Sequence, residues 1–181
     1  MNARTTWLCA LSAWSLSAAA VALQSTEVPP TRTGTQDDVF VQAVAADVLA
    51  EIELARLAAQ RAARPEVREF AQTLAAEQSR AYEDLKALAA QKKLTLPSES
   101  RPEQKAQVAQ LESLAGAALD DAYLTAVAAS RTRSLALFDK AAGAWGDPDV
   151  KTWAARLLPT LKQRLARARE LAAPATLVLE R

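Results

Sequence analysis

From Asp37 to about Ala172 the chain reads as helix almost without a break, and the few breaks fall where helical hairpins need them. Alanine and leucine dominate, runs of β-branched residues are missing, and 181 residues hold only 4 glycines. Such residues lose little freedom on entering a helix, whereas glycine loses the most. The composition therefore selects an all-α fold.

The first helix is expected from about Asp37 to Ala63, with Val41, Val44, Val48, Ile52 and Ala55 in a stripe at helical spacing. Thr35 and Asp38 offer it an N-terminal capping box. Arg64-Pro65-Glu66 breaks the run, and proline suits the first position of a new helix. So short a turn imposes an antiparallel hairpin. Helix 2 carries Val67, Phe70, Leu74, Ala81, Leu85 and Leu88 to about Lys93, and Leu96-Pro97-Ser98 opens a loop. Ser100-Arg101-Pro102-Glu103 combines a serine cap, an early proline and a reciprocal glutamate, which starts a short helix 3. That helix is expected to end near Gly116 in a left-handed conformation. Helix 4 spans about Ala117 to Trp145, with Leu124, Val127, Leu135, Phe138 and Trp145 on one side. Gly146-Asp147-Pro148 stops it and starts helix 5, which runs to about Ala172 before Pro174. Pro159 lies inside helix 5, cannot bond to the carbonyl of Ala155, and is expected to kink it. The expected architecture is four long antiparallel helices with one short extra helix in the middle crossover.

The N-terminus reads as an export signal. Arg4 supplies the positive start, Trp7 to Leu23 is uncharged and apolar, and Ala20-Val21-Ala22 is a small-x-small cleavage site. The rival reading is a retained anchor helix, for which the run is short against the roughly 20 residues of a bilayer span. The domain plan is then a signal peptide over 1–22, a flexible leader over 23–36, the bundle over 37–173 and a tail over 174–181. No second apolar segment follows, so no membrane span is expected after cleavage. Arg4 leaves with the signal, and 22 Lys and Arg against 21 Asp and Glu become an even balance. An even balance gives no electrostatic footprint for nucleic acid.

The sequence has no histidine, its one cysteine is Cys9 and its one methionine is Met1. Once the signal is removed, no imidazole, thiol or thioether remains. Ser-His and Cys-His catalysis, soft metal ligands and disulfides are excluded together. Ser134 and Lys140 are not at facing helical spacing. Asp120 and Asp121 diverge by about 100° around a helix, so one should face in and the other out. Lys162, Arg164, Arg167 and Arg169 suit the C-terminal end of a helix through its dipole. Trp145 and Trp153 read as core anchors. No catalytic residue, no metal ligand and no cofactor is assigned.

Several segments carry a family resemblance. Ala50-Glu51-Ile52-Glu53-Leu54-Ala55-Arg56-Leu57-Ala58 resembles a first-helix signature, and Val67-Arg68-Glu69-Phe70-Ala71 with Leu85-Lys86-Ala87-Leu88-Ala89 resembles the second helix. Leu114 to Leu124 resembles a Gly-x-x-Phe-Asp-x-x-Tyr segment with Leu119 in place of phenylalanine. Leu135 to Phe138 and Leu158-Pro159-Thr160-Leu161 resemble the last two helices. Together they resemble the domain of unknown function 4142 family, exported bacterial proteins with a ferritin-like helical bundle. The resemblance implies a periplasmic or secreted protein with an unidentified protein or cell-envelope partner. It also implies an Asp-His pair on helix 2 and another on helix 4. The matching positions here are Glu77-Gln78 and Ser130-Arg131, so both histidines are replaced. The function expected is a non-enzymatic interaction or stress-accessory role, the alternative being a metal-binding protein that has degenerated with the loss of its histidines.

Gln78 follows Leu74 by four residues, and Arg131 stands four from both Val127 and Leu135, so both lie on apolar stripes. Asp120 is four before Leu124, and Glu51 is three after Val48. The expectation is an interior polar cluster of Glu51, Glu77, Gln78, Asp120 and Arg131. A buried guanidinium needs a partner, and Glu51, Asp120 and Glu77 are the candidates, with Gln78, Tyr82 or Tyr123 supplying further hydrogen bonds. The opposing reading is that some of these groups sit at wet ends or reach outward, as arginine can.

Overall fold

Proline decides where most helices begin. The computed structural model describes residues 36–144 and 146–173, which form α1 (Gln36–Arg61), α2 (Pro65–Gln91), α3 (Pro102–Glu112), α4 (Gly116–Ala144) and α5 (Pro148–Ala172). Pro65, Pro102 and Pro148 each open a helix, where a missing N–H costs nothing and the fixed φ is already helical. The export signal, the leader before Gln36, the Thr35 cap, Trp145, Pro174 and the tail lie outside the described residues. Asp147 caps α5 and accepts from the N–H groups of Asp149 at 2.9 Å and Val150 at 3.2 Å. Pro159 sits inside α5.

Two boundaries differ from expectation. The cap of α3 is Arg101, not Ser100, because the residue before proline is driven to extended backbone (φ −68°, ψ 155°). The reciprocal residue is accordingly Gln104 rather than Glu103, and its Oε1 accepts from the Arg101 N–H at 2.9 Å. Gly116 does adopt a left-handed φ of +60°, but α3 has already ended at Glu112. The glycine instead turns the chain into α4.

The helices pair as two antiparallel hairpins, α1 with α2 and α4 with α5, and α3 crosses between them against α1 and α4. The expected stripes are inside: Val41, Val44, Val48, Ile52 and Ala55 of α1 are buried, as are Leu124, Val127 and Phe138 of α4. Their apolar side chains form two clusters, one at each end. One gathers Phe40, Leu85, Phe138 and Trp153, with the Phe138 and Trp153 ring centroids 5.4 Å apart. The other gathers Phe70, Leu74, Leu119 and Tyr123. Along each long helix the division falls at mid-height. Polar residues occupy that level, and they define the site.

Candidate functional site

At the division between the two clusters, Arg131 of α4 reaches Glu51 of α1, with Nη2 2.9 Å from Oε2. Both side chains are inside, 4 % and 9 % exposed respectively. Gln78 of α2, also buried, donates from Nε2 to the same Glu51 oxygen, and Ser130 donates from Oγ to Oε1. Helical spacing explains the convergence: Gln78 continues the stripe of Phe70 and Leu74, and Arg131 that of Leu124 and Val127. Both carboxylate oxygens of Glu51 are thus engaged by three side chains. Arg131 Nε, in contrast, is buried with no hydrogen-bond partner.

The other two members of the expected cluster are elsewhere. Asp120 is fully buried, but at one end of the bundle rather than at its centre, where Oδ1 accepts from the Ala63 N–H at 2.8 Å and Oδ2 from the Arg64 N–H at 2.9 Å. Its ion pair is with Arg64, at 3.4 Å. Asp120 therefore closes the α1–α2 turn from inside and does not pair with Arg131. Asp121, one residue on, is exposed. Glu77 is half-buried and takes Arg164 of α5, which donates from Nε at 2.7 Å and from Nη2 to the second oxygen. It does not pair with Arg131 either. The reading of Arg164 as a helix-dipole cation misses this bidentate contact, because sequence spacing within one helix says nothing about a partner on another.

Neither tyrosine joins the layer. Tyr82 donates to the Pro97 carbonyl at 3.1 Å. The Tyr123 hydroxyl is buried without a partner. Burial pushes that phenol well above its ordinary range, Arg131 opposes the rise and Glu51 adds to it. Ser130 is the contributor that the sequence reading passed over. Its signal was its place beside Arg131, at a position matching the family's aspartate.

Between the four long helices at this level lies a cavity of about 70 Å³, walled by Glu51, Gln78, Arg131 and the Glu77–Arg164 pair. Val48, Leu74, Phe138 and Trp153 complete it on the apolar side. Among the described residues, no three His, Cys, Asp or Glu side chains come close enough together to hold a metal.

The family model described as "Domain of unknown function (DUF4142)" matches residues 22–171. The chain belongs to this family. No curated protein matches this DUF4142 chain. Its fold is similar to that of a DUF305 fragment from Deinococcus radiodurans, with a TM-score of 0.69 and 17 % identity over 77 % of this chain and 96 % of the other. A DUF305 protein from Streptomyces coelicolor, named as a secreted protein, aligns with a TM-score of 0.65 and 14 % identity over 75 % of this chain and 89 % of that one. At such identities the likeness carries the DUF4142 helical fold and no function.

Proposed function

We propose that this DUF4142 protein is an exported bacterial bundle that works in the periplasm without a catalytic centre, as an interaction or stress-accessory protein. The observation that carries the reading is that the carboxylates Glu51, Glu77 and Asp120 are each committed to donors within the protein. Glu51 is engaged by Arg131, Gln78 and Ser130, Asp120 by the backbone of the α1–α2 turn, and Glu77 by Arg164. No helix among the described residues is long and apolar enough to cross a membrane.

The residues do not fit a ferritin-like di-metal centre. Such centres take an inward glutamate from each of two helices and a Glu-x-x-His motif from each of the other two. Here the carboxylates at the central level are Glu51 and the half-buried Glu77, and each already faces a guanidinium. Arg131, at a position matching a family histidine, supplies internally the positive charge that a cation would bring. Elemental analysis of protein purified from the periplasm without chelators tests this reading. It predicts no stoichiometric iron or manganese and an unchanged melting temperature on adding either. One or two tightly held equivalents would overturn it in favour of the metal-binding alternative.

A further inference from the structure

We infer that α3 is a lid: it lifts from the seam between α1 and α4 while the four long helices stay packed, and its opening admits solutes to the Glu51 carboxylate. Isolated helices shorter than about 12 residues are marginal in water, so the 11 residues of α3 depend on what they touch. They bury one side chain, Leu111, and the half-buried Val108 packs on the same apolar cluster. The remaining attachments are polar, and α1 supplies them at both ends. Asp47 Oδ1 accepts from Arg101 Nη2 at 2.5 Å and from Gln104 Nε2 at 2.6 Å. Arg61 donates to the carbonyls of Glu112 and Leu114, at 2.8 Å each. The Arg101 and Asp47 side chains are 41 % and 33 % exposed, so water competes for that pair and it holds weakly.

Among the described residues, no hydrogen bond or ion pair joins α3 to α4. That free edge borders a cleft of about 260 Å³ between α1, α3 and α4, with Gln104 and Gln107 of α3, Ala126 and Ser130 of α4, and Glu51 among its walls. Residues 92–101 and 113–115 join α3 to its neighbours without helix, so it can move while α2 and α4 keep their packing. An element with so few buried apolar contacts opens locally at a lower free energy than the whole fold. Glu51 gives the opening its consequence, because it lines both this cleft and the central cavity. Its Oε1 takes the Ser130 hydroxyl on the cleft side, and its Oε2 takes Gln78 and Arg131 on the other. Lifting α3 therefore opens the polar layer from the side of Ser130. The inference is independent of the absence of catalysis proposed above.

The test reads the opening twice, by amide hydrogen exchange of α3 and by a thiol placed beneath it. With Cys9→Ser removing the native thiol, Ala126→Cys sets one on a buried wall of the cleft. Ala141→Cys, in the apolar cluster that α3 does not join, is the control. Ala126→Cys should react with dithionitrobenzoate at least tenfold faster than Ala141→Cys, and α3 amides should exchange at least tenfold faster than those of α4. Both fast rates should hardly change with urea below the unfolding transition. Asp47→Ala should speed α3 exchange and Ala126→Cys labelling by the same factor, at least fivefold, and Asp47→Asn, which keeps an acceptor oxygen, by less. Circular dichroism establishes that each variant is folded. If α3 amides exchange as slowly as those of α4, with the same steep urea dependence, the inference is overturned, because α3 then opens only when the bundle unfolds. Labelling of Ala126→Cys that fails to follow α3 exchange when Asp47 is replaced overturns it too, because α3 then does not gate the cleft.

Discussion

Arg131 on α4 and Glu51 on α1 meet 2.9 Å apart between two apolar clusters, with hardly any solvent reaching either side chain. Four-helix cores are usually apolar through their length, and an ion pair at the centre costs desolvation that its attraction barely offsets. Only one vertical register of α4 against α1 brings Arg131 level with Glu51, and a shift by one helical turn strands both charges.

At one end of the bundle, Asp120 closes the α1–α2 turn through two backbone N–H groups and Arg64. Replacing it with alanine leaves those donors unmet, at about 1–3 kcal/mol each. Asp120→Ala should therefore lose about 3 kcal/mol in urea denaturation, and Asp120→Asn, which keeps one acceptor, about half as much. A loss below about 0.5 kcal/mol for the alanine variant would mean that the turn holds without it.

The Tyr123 hydroxyl is buried without a partner, so Tyr123→Phe should raise stability by about 1 kcal/mol. The phenol also couples stability to pH. Its folded pKa is raised, so its contribution is intact below the ordinary value of 10.0 and is lost as pH rises from there toward the folded pKa, where the unfolded chain releases the proton first. Melting curves between pH 9 and about 11.5 should fall more steeply for wild type than for Tyr123→Phe. Parallel curves would contradict this.

Asp147 caps α5 and also meets Lys92 of the α2 terminus at 2.7 Å. The hydrogen bond from Lys92 holds the Asp147 carboxyl below its ordinary 3.8, and the same contact raises Lys92 above 10.5. A lowered acid contributes stability that is present above pH 3.8 and lost as pH falls through the folded pKa. Asp147→Asn retains the cap but not the charge, so it should flatten the acid limb of the stability curve. Asp147→Ala loses the cap as well and should cost about 1 kcal/mol at neutral pH. If both variants match wild type at every pH, the contact is incidental.

Much of this architecture is legible in the sequence because helix boundaries are local events. Pro65, Pro102 and Pro148 mark helix starts through their own geometry, and at α3 the proline outweighs the serine cap, so Arg101 and not Ser100 is the cap. Interior faces are legible for the same reason, since spacing from Leu74, Val127 and Leu124 places Gln78, Arg131 and Asp120 inward. Height is another matter. A face says where a side chain points and not what it meets across the bundle. Eleven residues of helix at about 1.5 Å each already separate Asp120 from Arg131 by about 16 Å, too far for one ion pair. The Glu77–Arg164 contact needed the packing of α2 against α5, which no spacing within either helix encodes.

A double-substitution cycle on Glu51 and Arg131 tests most directly whether the centre of this bundle is a self-contained ion pair. Glu51→Leu and Arg131→Met should each cost about 3–5 kcal/mol, because each leaves the other charge buried and alone. The double variant should recover most of that loss, because no charge is left buried alone, and stay about 1–3 kcal/mol below wild type, because the buried Gln78 amide loses its acceptor. Simple additivity, with the double variant losing the sum of the two singles, would contradict the account.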